Sequence, residues 1–330
     1  MRLNQLDLNL MVCLDALLAE RSVSRAAKRV FLSQPAMSIS LKKLREYFGD
    51  DIVVQVGRAL KLTPFAESLQ KPVRDAILQM RAISELKPNF DPAQSDQKII
   101  LEASDYITAV YMTRVFERAY AEAPRMRFDL RMLGPTYLDD FESGEIDVLV
   151  IPQAVSSSKH PCEPLFSDTF SCVVWEKNSL VSNSLSKDQY LRLGHVGTEW
   201  DGGRLEALDE TLLAHAGYTR RKEIAAPSFS LAPQFVVGTD RVATVQTRLA
   251  HKMALQWPLR VLPCPIEIPP IVESVQWHKY QERDPAILWF LRVLRSVALE
   301  LSTVPRDSAK NANNAVGRTN RHGENLSQGK

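Results

Sequence analysis

Residues 22–48 read SVSRAAKRVFLSQPAMSISLKKLREYF. Ser22 or Ser24 opens a helix with Val23, Ala26, Ala27 and Val30 on one side, and Phe31 and Leu32 make a tight connection. Ser33 then caps a further helix that carries Pro35 in its first turn, where a missing N–H is harmless. In this helix Met37, Leu41, Leu44 and Phe48 follow one another at intervals of 4, 3 and 4, so they turn inward and leave Gln34, Ser38, Lys42 and Arg45 outside. Two helices about a tight turn, the second apolar within and polar and basic without, is the layout that lays a recognition helix in the DNA major groove. Gln34 has the paired donor and acceptor that match an adenine edge, and Ser38 reaches a base or phosphate one turn later. Lys42, Lys43 and Arg45, with Arg25 and Lys28 on the preceding helix, suit phosphates and carry no sequence information. On spacing alone, capping and solvation account for Gln34 and Ser38 equally well.

Charge points to the same segment. The 330 residues hold 41 Lys/Arg and 39 Asp/Glu, for a net charge of only +2. Residues 1–62 hold ten basic and six acidic side chains, against 31 and 33 in the rest, and residues 21–45 hold seven basic side chains and no acid. A basic stretch inside a compact helical pattern is the electrostatic footprint of a nucleic-acid binder as well as of an ordinary solvated face.

Working outward, Asp7 caps a first helix with apolar Leu10, Cys13, Leu14, Leu17 and Leu18. Beyond Gly49, residues 52–56 and 59–62 about Gly57 and Arg58 form a two-stranded wing, with Arg58 a further phosphate contact. Thr63 and Pro64 open a long helix whose Phe65, Leu69, Val73, Ile77, Met80 and Ile83 form one stripe. With nothing else nearby, that stripe is expected to be a dimerisation seam, bent at Pro72. From residue 98 strands (99–103, 127–133, 147–151, 170–175, 222–226, 242–245, 259–262, 272–277) alternate with helices (106–121, 137–143, 203–216, 229–237, 248–255, 285–301), which is an α/β pattern. The last 27 residues have too few apolar side chains to bury and are expected to be disordered.

Other functions find little support. No apolar run is long enough to span a membrane, Asp7, Asp15 and Glu20 break any signal-peptide core, and the protein is expected in the cytoplasm. The signatures of a nucleophile elbow, phosphate loop, dinucleotide fingerprint or zinc protease are absent, so no catalytic residue, metal or cofactor is expected. The four cysteines are scattered, and His195 and His278 read as hydrogen-bonded structural residues before they read as bases or ligands.

The segment from Ser24 through Ser33-Gln-Pro-Ala-Met-Ser38, with Leu41, Leu44 and Gly49, resembles the winged helix-turn-helix of LysR-type transcriptional regulators. Leu62-Thr-Pro64, Gly144-Glu-Ile-Asp-Val-Leu-Val150 and Gly238-Thr-Asp-Arg-Val-Ala-Thr-Val245 continue the resemblance. Asp7-Leu-Asn-Leu10, Trp277-His278 and Arg283-Asp-Pro285 resemble the group containing the nodulation and naphthalene/salicylate regulators. Gln55 stands where the wing usually has Arg, and Gln246 where relatives often have Pro.

The resemblance implies an all-α winged helix-turn-helix (1–63), a linker and dimerisation helix (64–94), and an α/β effector-binding region (95–303). That region would have two Rossmann-like lobes, built like periplasmic binding proteins, from 95–165 with 270–303 and from 166–269, ahead of a tail (304–330). It further implies a regulator, not an enzyme, that binds double-stranded promoter DNA as a homo-oligomer, dimer or tetramer, through the linker helix. A small effector would lie between the lobes, near Ser104, Asp105, Thr136, Val196, Thr198 and Phe229, and the hydroxyls, the helix N-terminus and the aromatic walls there suit a small aromatic compound bearing a carboxylate or phenol. Two other readings stay open: a small-molecule-binding protein or enzyme with a vestigial basic N-terminus, and a thiol sensor of the same family if Cys162 and Cys172 pair.

Overall fold

The structure, a computed structural model, describes residues 7–57, 59–85, 90–200, 205–206, 208–215 and 217–303. Two compact units divide the chain, residues 1–88 and 89–330. Arg58 and the tail from 304 lie outside the described residues.

The first unit begins with α1 (Leu8–Glu20), whose N-cap Asp7 accepts from the Asn9 N–H at 2.9 Å. Ser22 caps α2 (Val23–Arg29), and Ser33 caps α3 (Gln34–Phe48), which stops at Gly49 in the left-handed conformation that glycine adopts without penalty. The strands β1 (Val53–Val56) and β2 (Ala59–Leu62) pair antiparallel as the wing. Leu14, Leu17, Ala26, Met37, Leu44 and Ile52 form the centre of the core.

The last helix of this unit, α4 (Pro64–Glu85), corrects one expectation. Val73 and Ile77, two residues of the supposed seam, are buried in the same chain's core, where α4 packs on α1. Arg74 on α4 meets Asp15 on α1 at 3.0 Å with both side chains largely buried, and the Gln70 amide donates to the Leu18 carbonyl. The stripe therefore has an intramolecular partner that helical spacing alone does not reveal. The helix runs unbroken through Pro72, whose neighbours are held by these contacts. Phe65 and Ile83, at the two ends of the stripe, remain exposed.

The second unit contains two sheets. The chain runs β3 (Lys98–Ala103), α5 (Asp105–Ile107), a π-helical turn (Thr108–Met112), α6 (Thr113–Glu122), β4 (Arg127–Met132), α7 (Tyr137–Glu142), β5 (Val148–Pro152) and β6 (Cys162–Asp168). It then enters the second sheet with β7 (Phe170–Trp175), α8 (Lys187–Arg192), β8 (Gly194–Trp200), β9 (Leu205–Glu206), α9 (Leu208–His215), β10 (Arg221–Ala226), β11 (Val242–Gln246), α10 (Thr247–Ala254) and β12 (Leu259–Pro263). It returns to the first sheet as β13 (Ile271–Trp277) and ends in α11 (Pro285–Thr303). The strand orders are β4-β3-β5-β13-β6 and β10-β8-β11-β7-β12, with β9 beside β8. In each sheet three neighbouring strands are parallel, one strand (β13 in the first, β7 in the second) runs against them, and the edge strand beside it (β6 or β12) runs in their direction again.

Sequence patterning overlooks β6 and β8, and it places the first crossover too early: the chain stays in the first sheet through Asp168. Pro164 lowers the strand signal of β6, but β6 is an edge strand, where proline is tolerated. In β8, Gly194 and Gly197 hide the pattern for a packing reason. A Cβ on Gly194 would lie 2.3 Å from the Glu223 carboxyl carbon, and one on Gly197 would lie 3.0 Å from Glu210 and Lys222. The expected helix at 229–237 is a 3-10 turn, Ala232–Val236, with Pro233 in its first turn.

Candidate functional site

On α3 the side chains Gln34, Pro35, Ser38, Lys42 and Lys43 are exposed, while Met37, Leu41 and Leu44 anchor the helix from below. The Ser33 hydroxyl is the cap, accepting from the Ala36 N–H at 3.3 Å. Ser38 donates its hydroxyl to the Gln34 carbonyl at 3.0 Å, which leaves the oxygen's lone pairs as its outward capacity. Lys42 lies 3.9 Å from Glu46 one turn on, a weak exposed pair.

Two arginines are more committed than their charge suggests. Arg45 donates to the backbone carbonyls of Asp51 at 2.8 Å and Val53 at 2.9 Å, so its guanidinium ties the end of α3 to the wing. Arg25 pairs with the Glu20 carboxylate at 3.2 Å and also bonds the Glu20 carbonyl, and Arg29 reaches the same carboxylate at 3.2 Å. Glu20 stands just before the acid-free run and partly neutralises it. Among the described cations of the predicted set, Lys28, Lys42 and Lys43 are the more available.

In the second unit a cavity of about 300 Å³ opens between the two sheets. Its walls include Ser104, Asp105 and Tyr106 after β3, Met132 to Gly134 after β4, and Tyr137, Ile151, Pro152 and Val155. Phe170, Thr211, Phe229 and Gln246 close it from the second sheet's side, and Ile271 and Glu273 come from β13. Aromatic and aliphatic side chains make up most of this surface. No lysine, arginine or histidine is among these lining residues.

Of the six predicted effector residues, Ser104, Asp105 and Phe229 are on this wall. Thr136 is exposed and donates to Asp140 at 2.8 Å, and Val196 and Thr198 are buried within the second sheet, away from the cavity. β8 lies between β10 and β11, and Val196 and Thr198 on it are buried in the packing of the second sheet. His195, on the same strand, is buried, with Nε2 2.7 Å from the Tyr190 carbonyl, and burial lowers its pKa to about 4.

The two polar groups at the start of α5 are already used. The Ser104 hydroxyl accepts from the Ile107 N–H at 3.2 Å. The Asp105 carboxylate accepts from the N–H groups of Phe229 at 3.1 Å and Ser230 at 2.7 Å, which links the lobes. At this helix start the Ile107 N–H is thus taken by Ser104, and the Asp105 carboxylate is taken by backbone of the facing lobe. Behind the wall, Asp168 takes the Tyr106 hydroxyl at 2.7 Å and the Arg248 N–H at 3.2 Å.

The thiol-sensor pairing has no geometry here. Cys162 lies on β6 in the first sheet, whereas Cys172 is buried on β7 beside Cys264, and all four cysteines are free thiols. Burial pushes the Cys172 thiol well above its ordinary range, which keeps it protonated and unreactive. Among the described residues no cluster could hold a metal ion, and no helix is long and apolar enough to cross a membrane.

The family model for the bacterial regulatory helix-turn-helix protein, lysR family, matches residues 8–67, and that for the LysR substrate binding domain matches residues 93–299. The chain belongs to the LysR family. Nodulation protein D 2 of Rhizobium tropici is 40% identical over 307 residues, covering 93% of this chain and 97% of that protein. Nodulation protein D of Bradyrhizobium sp. (strain ANU 289) is 37% identical over 307 residues, covering 93% and 91%. A solved structure of a probable transcriptional regulator from Pseudomonas aeruginosa is 26% identical, with a TM-score of 0.60 over 89% of this chain and 98% of that one.

This LysR-type protein is thus a transcriptional regulator, not an enzyme, with a DNA-binding helix-turn-helix and an effector-binding domain. Sequence reasoning missed Tyr137, Phe170 and Glu273 on its cavity wall, and it singled out Gln246 only as a departure from the family pattern. Glu273 had a readable signal, an acid on the alternating face Ile271, Glu273, Val275, Trp277 of a strand. Tyr137 and Phe170 had none, because the crossover that gathers them is a long-range contact.

Proposed function

We propose that this LysR-type regulator acts in the cytoplasm as a homo-oligomer on double-stranded promoter DNA and that its effector is a small aromatic compound held in the cavity between the sheets. One observation carries the effector reading: the 300 Å³ cavity has Tyr106, Tyr137, Phe170 and Phe229 among its walls, which suit a flat apolar body. Gln34 reads a base edge, Ser38 accepts from a neighbouring base or lies against phosphate, and Lys28, Lys42 and Lys43 neutralise phosphates. Arg45 acts on DNA by positioning the wing.

DNA binding should weaken steeply with salt, each neutralised phosphate adding about −0.9 to the slope of log K against log salt. Gln34→Ala should cost on the order of 1 to 3 kcal/mol on the cognate site and relax the preference at one base pair. Lys42→Ala should weaken all sequences alike and flatten the salt slope. Gel shifts on cognate and scrambled duplexes at several salt concentrations check this; equal losses for both variants on both duplexes would remove Gln34 as a reader.

For the effector, salicylates, flavonoids and chlorinated phenols are titrated while the full chain's melting is followed. An aromatic hit should raise the melting temperature of wild type and lose that effect in Phe229→Ala and in Met132→Trp, which narrows the cavity from its exposed side. A sugar or an amino acid as the sole hit would overturn the ligand class.

A further inference from the structure

Two polar side chains on the cavity wall have unmet hydrogen-bonding capacity. Glu273 on β13 is 1% exposed and Gln246, at the end of β11, is 2% exposed. Both line the cavity, and among the described residues neither Glu273 Oε2 nor Gln246 Oε1 has a hydrogen-bond partner. They come from opposite sheets, so a ligand group between them touches both lobes. A buried acceptor without a partner is costly, which makes each a place where a ligand's polar atom gains more than it would in water.

The charge around them decides what that atom is. The other carboxylate on the wall, Asp105, is already bonded to backbone N–H groups, Asp168 lies behind Tyr106, and no cation is among the described lining residues. An anion entering here would be desolvated beside these acids, and the nearest described cation, Arg248, already faces Asp168 behind the wall. An uncharged hydroxyl meets no such penalty, since it can accept one hydrogen bond and donate another.

Resting on the reading that the effector occupies this cavity, we propose that Glu273 and Gln246 form its polar post, with the neutral Glu273 carboxyl donating to an effector hydroxyl that in turn donates to Gln246 Oε1, so that the site selects a hydroxylated aromatic over the carboxylate of the same skeleton. Burial holds the Glu273 proton in place, raising its pKa to about 8, with the nearby Asp168 carboxylate adding to the shift.

The test uses the full chain and matched probes, 2-naphthol and a dihydroxyflavone, each against the carboxylate of its skeleton, by calorimetric titration. The hydroxyl probes should bind at least tenfold more tightly than the carboxylates. Glu273→Leu, which keeps the volume and removes the acid, should lose tenfold or more for the hydroxyl probes, and Glu273→Gln, which keeps a donor, should lose less than threefold. Difference infrared spectra of the unliganded protein at neutral pH should show a protonated carboxyl band that vanishes in Glu273→Gln. Carboxylates that bind as well as the hydroxyl probes, absence of binding by either hydroxyl probe, or absence of that band would overturn the proposal. Unchanged affinity in Glu273→Leu combined with lost affinity in Met132→Trp would overturn it while leaving the cavity as the site. Hydroxyl probes that bind Met132→Trp as tightly as wild type would instead overturn the cavity reading itself.

Discussion

Ile77→Glu should unfold the DNA-binding unit and not merely dissociate an oligomer. Ile77 is 3% exposed in the core built by α1, α3 and α4, so the new carboxylate would sit among Leu and Val side chains without a cationic partner of its own. Burying an unpaired charge and losing a packed Ile side chain each fall among the few mechanisms that exceed about 4 kcal/mol. A domain of this size is stable by roughly 5 to 15 kcal/mol, and often by less when it is small. Ile83→Glu is the control. Its parent side chain is 69% exposed on the same stripe and should leave the fold intact. If the exposed ends of the stripe form the homo-oligomer interface, Ile83→Glu lowers the sedimenting mass and the DNA affinity without changing circular dichroism. Scanning calorimetry should show one transition missing in Ile77→Glu and both present in Ile83→Glu. Two normal transitions in Ile77→Glu would mean that α4 does not complete the core of its own unit.

The contrast between these isoleucines shows where sequence patterning stops. Local signals carried well: Asp7, Ser22 and Ser33 each cap the helix that their position announces, and the 4, 3, 4 spacing of Met37, Leu41, Leu44 and Phe48 marks the inward face of α3. A helical stripe tells which face is apolar and nothing about whose surface covers it, so the partner of Val73 and Ile77 was misassigned. The same limit applies in the second unit. The parallel strands with short, continuous apolar runs were legible, whereas β8, with its two close-packed glycines, and the edge strand β6 were not. The resemblance placed Val196 and Thr198 beside the effector, whereas on β8 both side chains are buried and neither is among the cavity's lining residues. Arg25 and Arg45 illustrate a third gap: composition counts their charge, and only the fold shows that Glu20 and the wing backbone have taken it up.

Stability should fall towards both ends of the pH scale, for two separable reasons, and the alkaline side belongs largely to Glu273. Its pKa rises from an ordinary 4.5 to about 8 on folding, so between those values the native state holds a proton that the unfolded chain has released. The contribution is fully present below about pH 4.5 and is lost as pH rises through about 8. Tyr106, Asp168 and Arg248 are the titratable and charged groups near it; Asp168 is itself shifted upward by burial and adds a slope of the same sign. His195 works at the other end. Burial lowers its pKa from 6.5 to about 4, so its contribution is present above about pH 6.5 and is lost as pH falls through about 4. Each pKa unit corresponds to about 1.4 kcal/mol, so wild type should lose on the order of a few kcal/mol relative to Glu273→Gln as pH is raised from about 6 to about 9. Urea unfolding of the effector-binding unit, followed in the full chain at several pH values, measures this directly. The glutamine variant should have a flatter limb from about pH 4.5 to about 8 and an unaltered one below about pH 4.5, where His195, on β8 of the other sheet, still titrates. Parallel alkaline limbs in the two proteins would show that Glu273 is ionised in the folded state, and the cavity would then present an anion where a neutral donor is expected.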